Sequence, residues 1–467
     1  MLNAYERRLV LGCLSNVASR FNHCSPQAEG LYHCLSAHGD LIGLSHPKTG
    51  ATGARRRKPS GQNPSAEEWQ AVRNGLSGAL SPVRRARPDR TARRVRRLAR
   101  EIGLSRADAD ILELALRYTT HPQIESILDD FLQGFHGRRG YRLSARHDGL
   151  SELLGLTRNA VFDRLGRNAP LVRSGLLSID GDGDIEIMER LKRLAYSAGS
   201  DRDARRLLFD VSPPGELDWS DFEHIREQRD HVEGLIRGAL AANAPGVNVL
   251  VYGPPGTGKT QFCRTLANRL GATLYGIGEA DDDGDEPSRF ERMRELKLAQ
   301  RLFGQAPDTV LLFDEMEDLL SLNDAALMHA LPRSRRRGGG EGSKVFMNRM
   351  LEVNAVPTLW TTNSARHTSA ALLRRMMYAI ELRQPSPRVR TRVWARQLAR
   401  HGIESSHGQA RALARDYDVS PGVVAGATAA ARLIEGDGLD AVRRGVRSLS
   451  KLLHGEKPPQ PAPAEYD

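Results

Sequence analysis

The amino-acid sequence predicts an α/β protein: a parallel sheet flanked by helices, preceded by a mainly helical region. Three observations predict it. Apolar runs at Val247–Tyr252, Val310–Phe313 and Thr358–Thr362 have the length and composition of buried strands. They are near-continuous rather than alternating, as strands covered on both faces are. Each run also ends on residues with chemistry: a Gly/Pro-rich turn at 253–258, Asp314-Glu315, and Asn363.

The 467 residues suffice for two or three domains with real cores. The formal charge of +11 is unevenly placed. Residues 1–100 hold 18 Lys/Arg against 6 Asp/Glu, a net of +12, and residues 101–467 hold 50 against 51, a net of −1. The basic character therefore belongs to the N-terminal segment. Four cysteines exclude a disulfide scaffold and point to a reducing compartment. Cys13, Cys24 and Cys34 lie near His23, His33 and His38 without the close pair a metal site needs, so none is expected there. No run approaches the roughly 18–20 apolar residues of a membrane helix. The expectation is a soluble, cytoplasmic protein with no membrane partner.

Residues 1–80 lack sustained periodicity, 45–66 are rich in Pro, Gly, Ser and Arg, and residues 1–93 are expected to be a basic, disordered segment. Nine arginines and one acid lie between Arg84 and Arg100, which reads as a solvated arm ahead of a phosphate-binding one, since no aromatics are interleaved. Order is expected from about residue 94. Ser105 with Asp108 can cap a helix carrying Ile111, Leu114, Ala115 and Tyr118 on one face. Leu150, Leu153 and Leu154 mark a short helix, Gly155-Leu156 a turn, and Thr157 the cap of a second helix with Val161 and Leu165. Leu177 and Ile179 then alternate toward a Gly181-Asp182-Gly183 turn, with Ile185 and Ile187 beyond it. Two helices across a tight turn and a hairpin resemble a winged helix, placed within a domain over 94–205. Arg158, Arg164 and Arg167 could meet phosphates, but Asp163 and the acidic hairpin oppose this, so protein docking is preferred.

The strand at 247–252 runs directly into Gly253-Pro254-Pro255-Gly256-Thr257-Gly258-Lys259-Thr260 and then a helical pattern. This is a full GxxxxGK[ST] phosphate loop in its expected setting. Its backbone N–H groups and the following helix N-terminus suit phosphate oxygens, Lys259 suits the β- and γ-phosphates, and the Thr260 hydroxyl suits Mg²⁺. Asp314 at a strand's carboxyl end can hold the water shell of Mg²⁺, and Glu315 can polarise an attacking water as general base. The Asn363 amide can orient that water. Ligand sites in open α/β sheets lie at this edge.

These residues together resemble the AAA family of ATPases. Residues 253–260 are similar to its Walker A, Leu312-Phe313-Asp314-Glu315 to its Walker B, and Thr361-Thr362-Asn363 to its first sensor. Ala371-Leu372-Leu373-Arg374-Arg375 resembles the segment that carries its arginine finger. The likeness covers about 206–455. It implies an AAA α/β domain over 206–384, a helical lid over 385–455, and a Pro-rich tail over 456–467. It further implies ATP and Mg²⁺ as ligands and a ring, commonly a hexamer, in which the finger reaches a neighbour's ATP.

The chain departs from the family's pattern in four places. Arg374-Arg375-Met376-Met377 replaces two arginines flanking Pro-Gly, so Arg374 aligns simply and Arg375 is the alternative finger. Ser420-Pro421-Gly422-Val423 lacks the arginine of a second sensor. The loop from Glu279 to Glu286 is acidic where threading relatives carry an aromatic, which weakens an unfoldase reading and repels nucleic acid. An insertion at Arg333–Gly340 reads as an exposed loop. The expected function is an Mg²⁺-dependent ATPase that remodels a protein partner. The alternatives are a DNA-associated ATPase using the winged-helix-like segment and basic arm, and a nucleotide-dependent binding switch with weak turnover.

Overall fold

The computed structural model describes residues 2–44, 63–136, 143–144, 149–166, 168–180, 183–198, 204–278, 287–304, 306–317, 350–365, 370–383, 385–434 and 438–454. They form two compact units. The first takes the chain to Phe209 together with 287–302, and the second takes 210–278 and the described residues from Phe303 onward.

The first unit begins with α1 (Ala4–Arg20), α2 (Pro26–Ile42), α3 (Ala66–Val83), α4 (Arg90–Glu101), α5 (Arg106–Thr120) and α6 (Pro122–His136). Asn3 caps α1 in a reciprocal box with Glu6, and Ser105 caps α5 with Asp108 in the same way. Each box satisfies two backbone donors that a helix start otherwise leaves without partners. Helix α5 is buried along most of its length, Ile111 through Leu116 included.

The expected disorder of residues 1–93 is not what the structure shows over 2–44 and 63–93. Leu11, Leu14, Leu31, Trp69 and Leu76 of α1–α3 are buried. Helices α1 and α2 bury small residues such as Cys13, Ala18, Ala28 and Cys34 among the large ones. Their apolar pattern is therefore not a one-sided stripe, which is the signal a helical period detects. The arginine run is likewise not a loose arm but largely a capped helix, although Arg84, Arg85, Arg87, Arg90, Arg93 and Arg100 are exposed. Asp89 caps α4, and Arg94, 1 % exposed, donates from one nitrogen to the carbonyls of Leu194 (3.0 Å) and Ser197 (2.9 Å).

The unit continues with α7 (Gly149–Leu153), α8 (Arg158–Leu165), α9 (Pro170–Arg173), the antiparallel hairpin β1 (Leu177–Ile179) and β2 (Ile185–Ile187), α10 (Arg193–Tyr196) and α11 (Ala204–Leu208). Gly155 adopts φ +67° between α7 and α8, and the Thr157 hydroxyl accepts from the Ala160 N–H at 3.2 Å to cap α8. Arg167, Gly181 and Asp182 lie outside the described residues.

The second unit opens with a 3₁₀ segment, Trp219–Ile225, then α12 (Arg226–Ala242), β3 (Asn248–Tyr252), α13 (Lys259–Leu270) and β4 (Thr273–Gly276). The chain next forms α14 (Arg289–Phe303), whose residues to Leu302 belong to the first unit. There Arg294 donates to the Gly175 carbonyl (3.1 Å), Glu295 pairs with Arg190 (2.6 Å) and Arg301 donates to the Pro170 carbonyl (3.0 Å). This division differs from an uninterrupted α/β domain over 206–384.

The remaining elements are β5 (Thr309–Phe313), β6 (Thr358–Thr362), α15 (Ala370–Leu373), β7 (Tyr378–Glu381) and the helical group α16 (Pro387–Arg400), α17 (His407–Asp416), α18 (Pro421–Ala431) and α19 (Gly438–His454). The strands form one parallel sheet in the order β4-β5-β6-β3-β7. Val249, Val251, Phe262, Leu266, Leu312 and Leu359 build its core. This helical group has its own core around Trp394, Leu398, Leu413, Val424 and Val442.

Arg392, Arg396 and Arg400 recur every fourth residue and so share one face of α16. They bond to the segment before the 3₁₀ turn and to its start. Arg392 donates to the Ser220 carbonyl (2.7 Å), Arg396 pairs with Asp218 and Asp221 (2.7 Å each), and Arg400 pairs with Glu216. The acidic loop 279–286, the insertion 333–340 and the tail 456–467 lie outside the described residues.

Candidate active site

The carboxyl ends of β3, β5 and β6 are adjacent because β6 sits between the other two strands. The turn after β3 is the phosphate loop, and its glycines are required by space as well as by backbone angle. A Cβ on Gly253 would lie 2.0 Å from the Leu382 carbonyl oxygen, and one on Gly256, at φ +75°, would lie 2.4 Å from Ser420 Oγ. The second contact brings the cap of α18, and hence the C-terminal helical group, onto the loop.

Lys259 starts α13 and is 8 % exposed. Its ammonium donates to the carbonyls of Gly253 (3.0 Å) and Pro254 (3.1 Å) and to Asn363 Oδ1 (2.7 Å). Burial lowers its pKa from the ordinary lysine value, against the opposing pull of Glu317, Asp314 and Glu315. Thr260 donates to Asp314 Oδ2 at 2.8 Å, and the Thr361 hydroxyl bonds the other oxygen of the same carboxylate.

The backbone turns sharply after β5. Glu315 has φ +50°, a left-handed conformation that is uncommon for a residue with a side chain and clusters at functional sites. Its N–H donates to Thr361 Oγ1 (3.0 Å) and the next N–H, of Met316, donates to the Thr361 carbonyl (2.9 Å), which pins the turn while the Glu315 side chain stays exposed. Asn363 is held by its own backbone as well, since its N–H donates to Glu317 Oε1.

The structure thus brings together Lys259, Thr260, Asp314 and Asn363, with Glu315 next to Asp314 in the chain. It does not bring Arg374 or Arg375 to them. These two precede β7, at the amino end of the sheet, where the Met377 N–H donates to the carbonyl of Asn248 at the start of β3. The phosphate loop lies at the opposite, carboxyl end. Arg375 is half-buried and paired with Glu352 (2.7 Å), whereas Arg374 is exposed and has no ion pair among the described residues.

Sequence reasoning missed Glu317, Thr361 and Ser420 as parts of this site. Hydroxyls in an otherwise apolar strand were a readable signal for Thr361, and a third acid two residues after Glu315 was one for Glu317. The segment Ser420–Val423 aligns with a second sensor, but nothing local marks the Ser420 hydroxyl itself, whose place depends on how the C-terminal helices fold back.

A family model described as "ATPase family associated with various cellular activities (AAA)" matches residues 249–384. The chain carries an AAA ATPase domain. A Corynebacterium glutamicum protein named "AAA ATPase forming ring-shaped complexes" is 26 % identical over 233 residues, covering 45 % of this chain and 40 % of its own length. Fidgetin-like protein 1 of Caenorhabditis elegans is 24 % identical over 254 residues, covering 50 % of this chain and 41 % of its own. The chain spans about two fifths of the length of these curated relatives. The crystal structure of the FIGL-1 AAA domain with ADP covers 51 % of this chain and 86 % of that one at 19 % identity, with a TM-score of 0.37. Among the described residues no helix is long and apolar enough to cross a membrane.

Proposed function

We propose that the protein hydrolyses ATP to ADP and phosphate and couples the cycle to remodelling of a protein partner, in the cytoplasm and as a homo-oligomeric ring. The observation that carries the reading is the convergence of Lys259, Thr260, Asp314 and Asn363 at one edge of a parallel sheet. Lys259 is held by neutral oxygens, so its charge remains available to phosphates. The Thr260 hydroxyl and Asp314 carboxylate are hard oxygen donors 2.8 Å apart, the kind and number that Mg²⁺ accepts from protein while keeping water and phosphate ligands. When bound there, Mg²⁺ would supply charge neutralisation on the phosphates. Glu315 takes the proton of a water that attacks the γ-phosphorus, ADP leaves, and Asn363 orients the water.

The outward placement of Arg374, with Arg375 tied to Glu352, supports a finger that serves a neighbouring copy. The relative named as forming ring-shaped complexes supports the same assembly, and a hexamer is the size we propose. The described residues of 149–187, with α7, α8 and the hairpin, fit a winged-helix-like module. On α8, Phe162 is 74 % exposed beside Arg158 and Asp163, a surface better suited to a protein than to a phosphate backbone.

The test uses Glu315→Gln. The variant should retain ATP, lose about 100-fold or more of its phosphate release, and sediment as a ring with ATP. Wild-type protein that binds ATP without releasing phosphate at a measurable rate would sink the hydrolase reading. Stimulation of turnover by duplex DNA, lost steeply with salt, would favour the DNA-associated alternative instead.

A further inference from the structure

Glu317 is the acid of this site to which neither the Walker motifs nor the first sensor gives a role. One oxygen, Oε1, accepts from the backbone N–H of Asn363 and from the Thr362 hydroxyl, the latter at 3.2 Å. Its other oxygen, Oε2, is buried and makes no hydrogen bond among the described residues. A buried acceptor left without a donor costs about 1–3 kcal/mol, which makes an unused one a residue to explain. The Asn363 side chain that this backbone carries ends on Lys259, through Oδ1 at 2.7 Å. Glu317, Asn363 and Lys259 therefore form a chain of contacts from the β5 turn, through the β6 end, to the phosphate loop. Among the carboxylates that oppose the lowering of the Lys259 pKa by burial, Glu317 comes ahead of Asp314 and Glu315.

We propose that Glu317 is a positioning residue for hydrolysis: it grips the backbone of Asn363, fixes the direction of that amide, and offers its second oxygen to the Lys259 ammonium as the lysine exchanges loop carbonyls for phosphate. The inference rests on the hydrolase reading above. It predicts a role in kcat rather than in affinity, because Lys259 keeps its charge and the loop keeps its glycines whatever stands at 317. It also predicts that the role is exerted through Asn363. A residue that merely supports the fold would lower both parameters or the melting temperature, and would add to the loss from Asn363→Ala.

The experiment compares wild type, Glu317→Ala, Glu317→Gln, Asn363→Ala and the double alanine variant, each checked by thermal melting. Steady-state phosphate release supplies kcat and KM, and a fluorescent ATP analogue supplies affinity. Glu317→Ala should lower kcat about 10- to 100-fold and shift analogue affinity less than about threefold. Glu317→Gln keeps an acceptor for the Asn363 N–H and should recover part of that loss. The double variant should be no slower than the slower single one, because coupled residues are non-additive. If Glu317→Ala fails to fold, the Gln variant with and without Asn363→Ala provides the same comparison. An active wild type whose kcat is unchanged by either 317 variant, or additive losses in the double variant, would overturn the positioning role and leave the hydrolase reading standing. An inactive wild type would overturn both.

Discussion

Arg117 in the helical unit and Lys259 in the AAA domain are both buried cations, and they are held in opposite ways. Arg117, 3 % exposed, meets three carboxylates: Glu6 at 3.0 Å, Asp89 at 2.6 Å and Glu113 at 3.3 Å. Lys259 bonds two carbonyls and an amide oxygen. Burial lowers both pKa values, but around Arg117 the charges of Asp89 and Glu113 overcome it and the net shift is upward. Around Lys259 the nearby acids do not overcome it, and the shift stays downward. Arg117 is neutralised within the fold and ties together α1, the start of α4 and α5. Lys259 keeps a positive charge that neutral oxygens hold in place. A buried cation with anionic partners is architecture; one with neutral partners is ready for an anion.

The largest effect separating the two should come from Lys259→Met, which removes the unmatched charge. Phosphate release should fall about 100-fold or more, with little change in the melting temperature. Arg117→Ala should do the reverse. It strands three acids in the helical unit and should lower the unfolding free energy by about 3–5 kcal/mol in urea titrations. Equal damage to turnover and stability from either variant would break the distinction.

A pH series sharpens the comparison further. Burial and the neighbouring cations Arg294 and Arg173 push Lys297 of α14 down to about 8. The unfolded chain then binds more protons than the folded one between about pH 8 and the ordinary lysine value near 10.5. The Lys297 contribution to stability should therefore rise with pH through that window, and Lys297→Met should remove this rise from urea midpoints taken at pH 7.5 and 9.5. Asp89, in the same unit, has a dependence of the same sign at acid pH. Burial raises its pKa, but the Ala92 N–H and Arg117 outweigh this and hold it below the ordinary value. Its stabilising share is present above pH 4 and is lost as acid protonates it. The smallest effect should come from Arg400→Ala, because the Arg400–Glu216 pair is exposed. Its melting curve should overlay that of the wild type at 0.15 M salt.

Much of the AAA domain was legible because its signals are local. The phosphate loop, the β5 and β6 strands and their terminal polar residues are contiguous stretches in which spacing alone carries the chemistry. The contribution of Glu317 was not, since it depends on β5 and β6 being neighbours in register, with Phe313 opposite Trp360. The helices before residue 84 were illegible for a different reason. Wrapped on several sides, α1 and α2 mix Ala, Gly and Cys with leucines, and no stripe emerges for a period to find. The arginines of α4 misled because composition cannot distinguish Arg94, buried against backbone carbonyls, from an arginine in water.

The excursion of the chain into α14 limits how the molecule can be divided. A fragment starting at Asp210 would keep α14 but lose the hairpin and the backbone carbonyls that Arg294 and Arg301 engage. Glu295 would likewise lose Arg190, its buried ion-pair partner. The AAA domain is therefore not an interchangeable cassette that can be cut free or transplanted at one junction. Helix α14 is inherited with it, placed in the chain between the strand before the acidic loop and the strand that leads to Asp314.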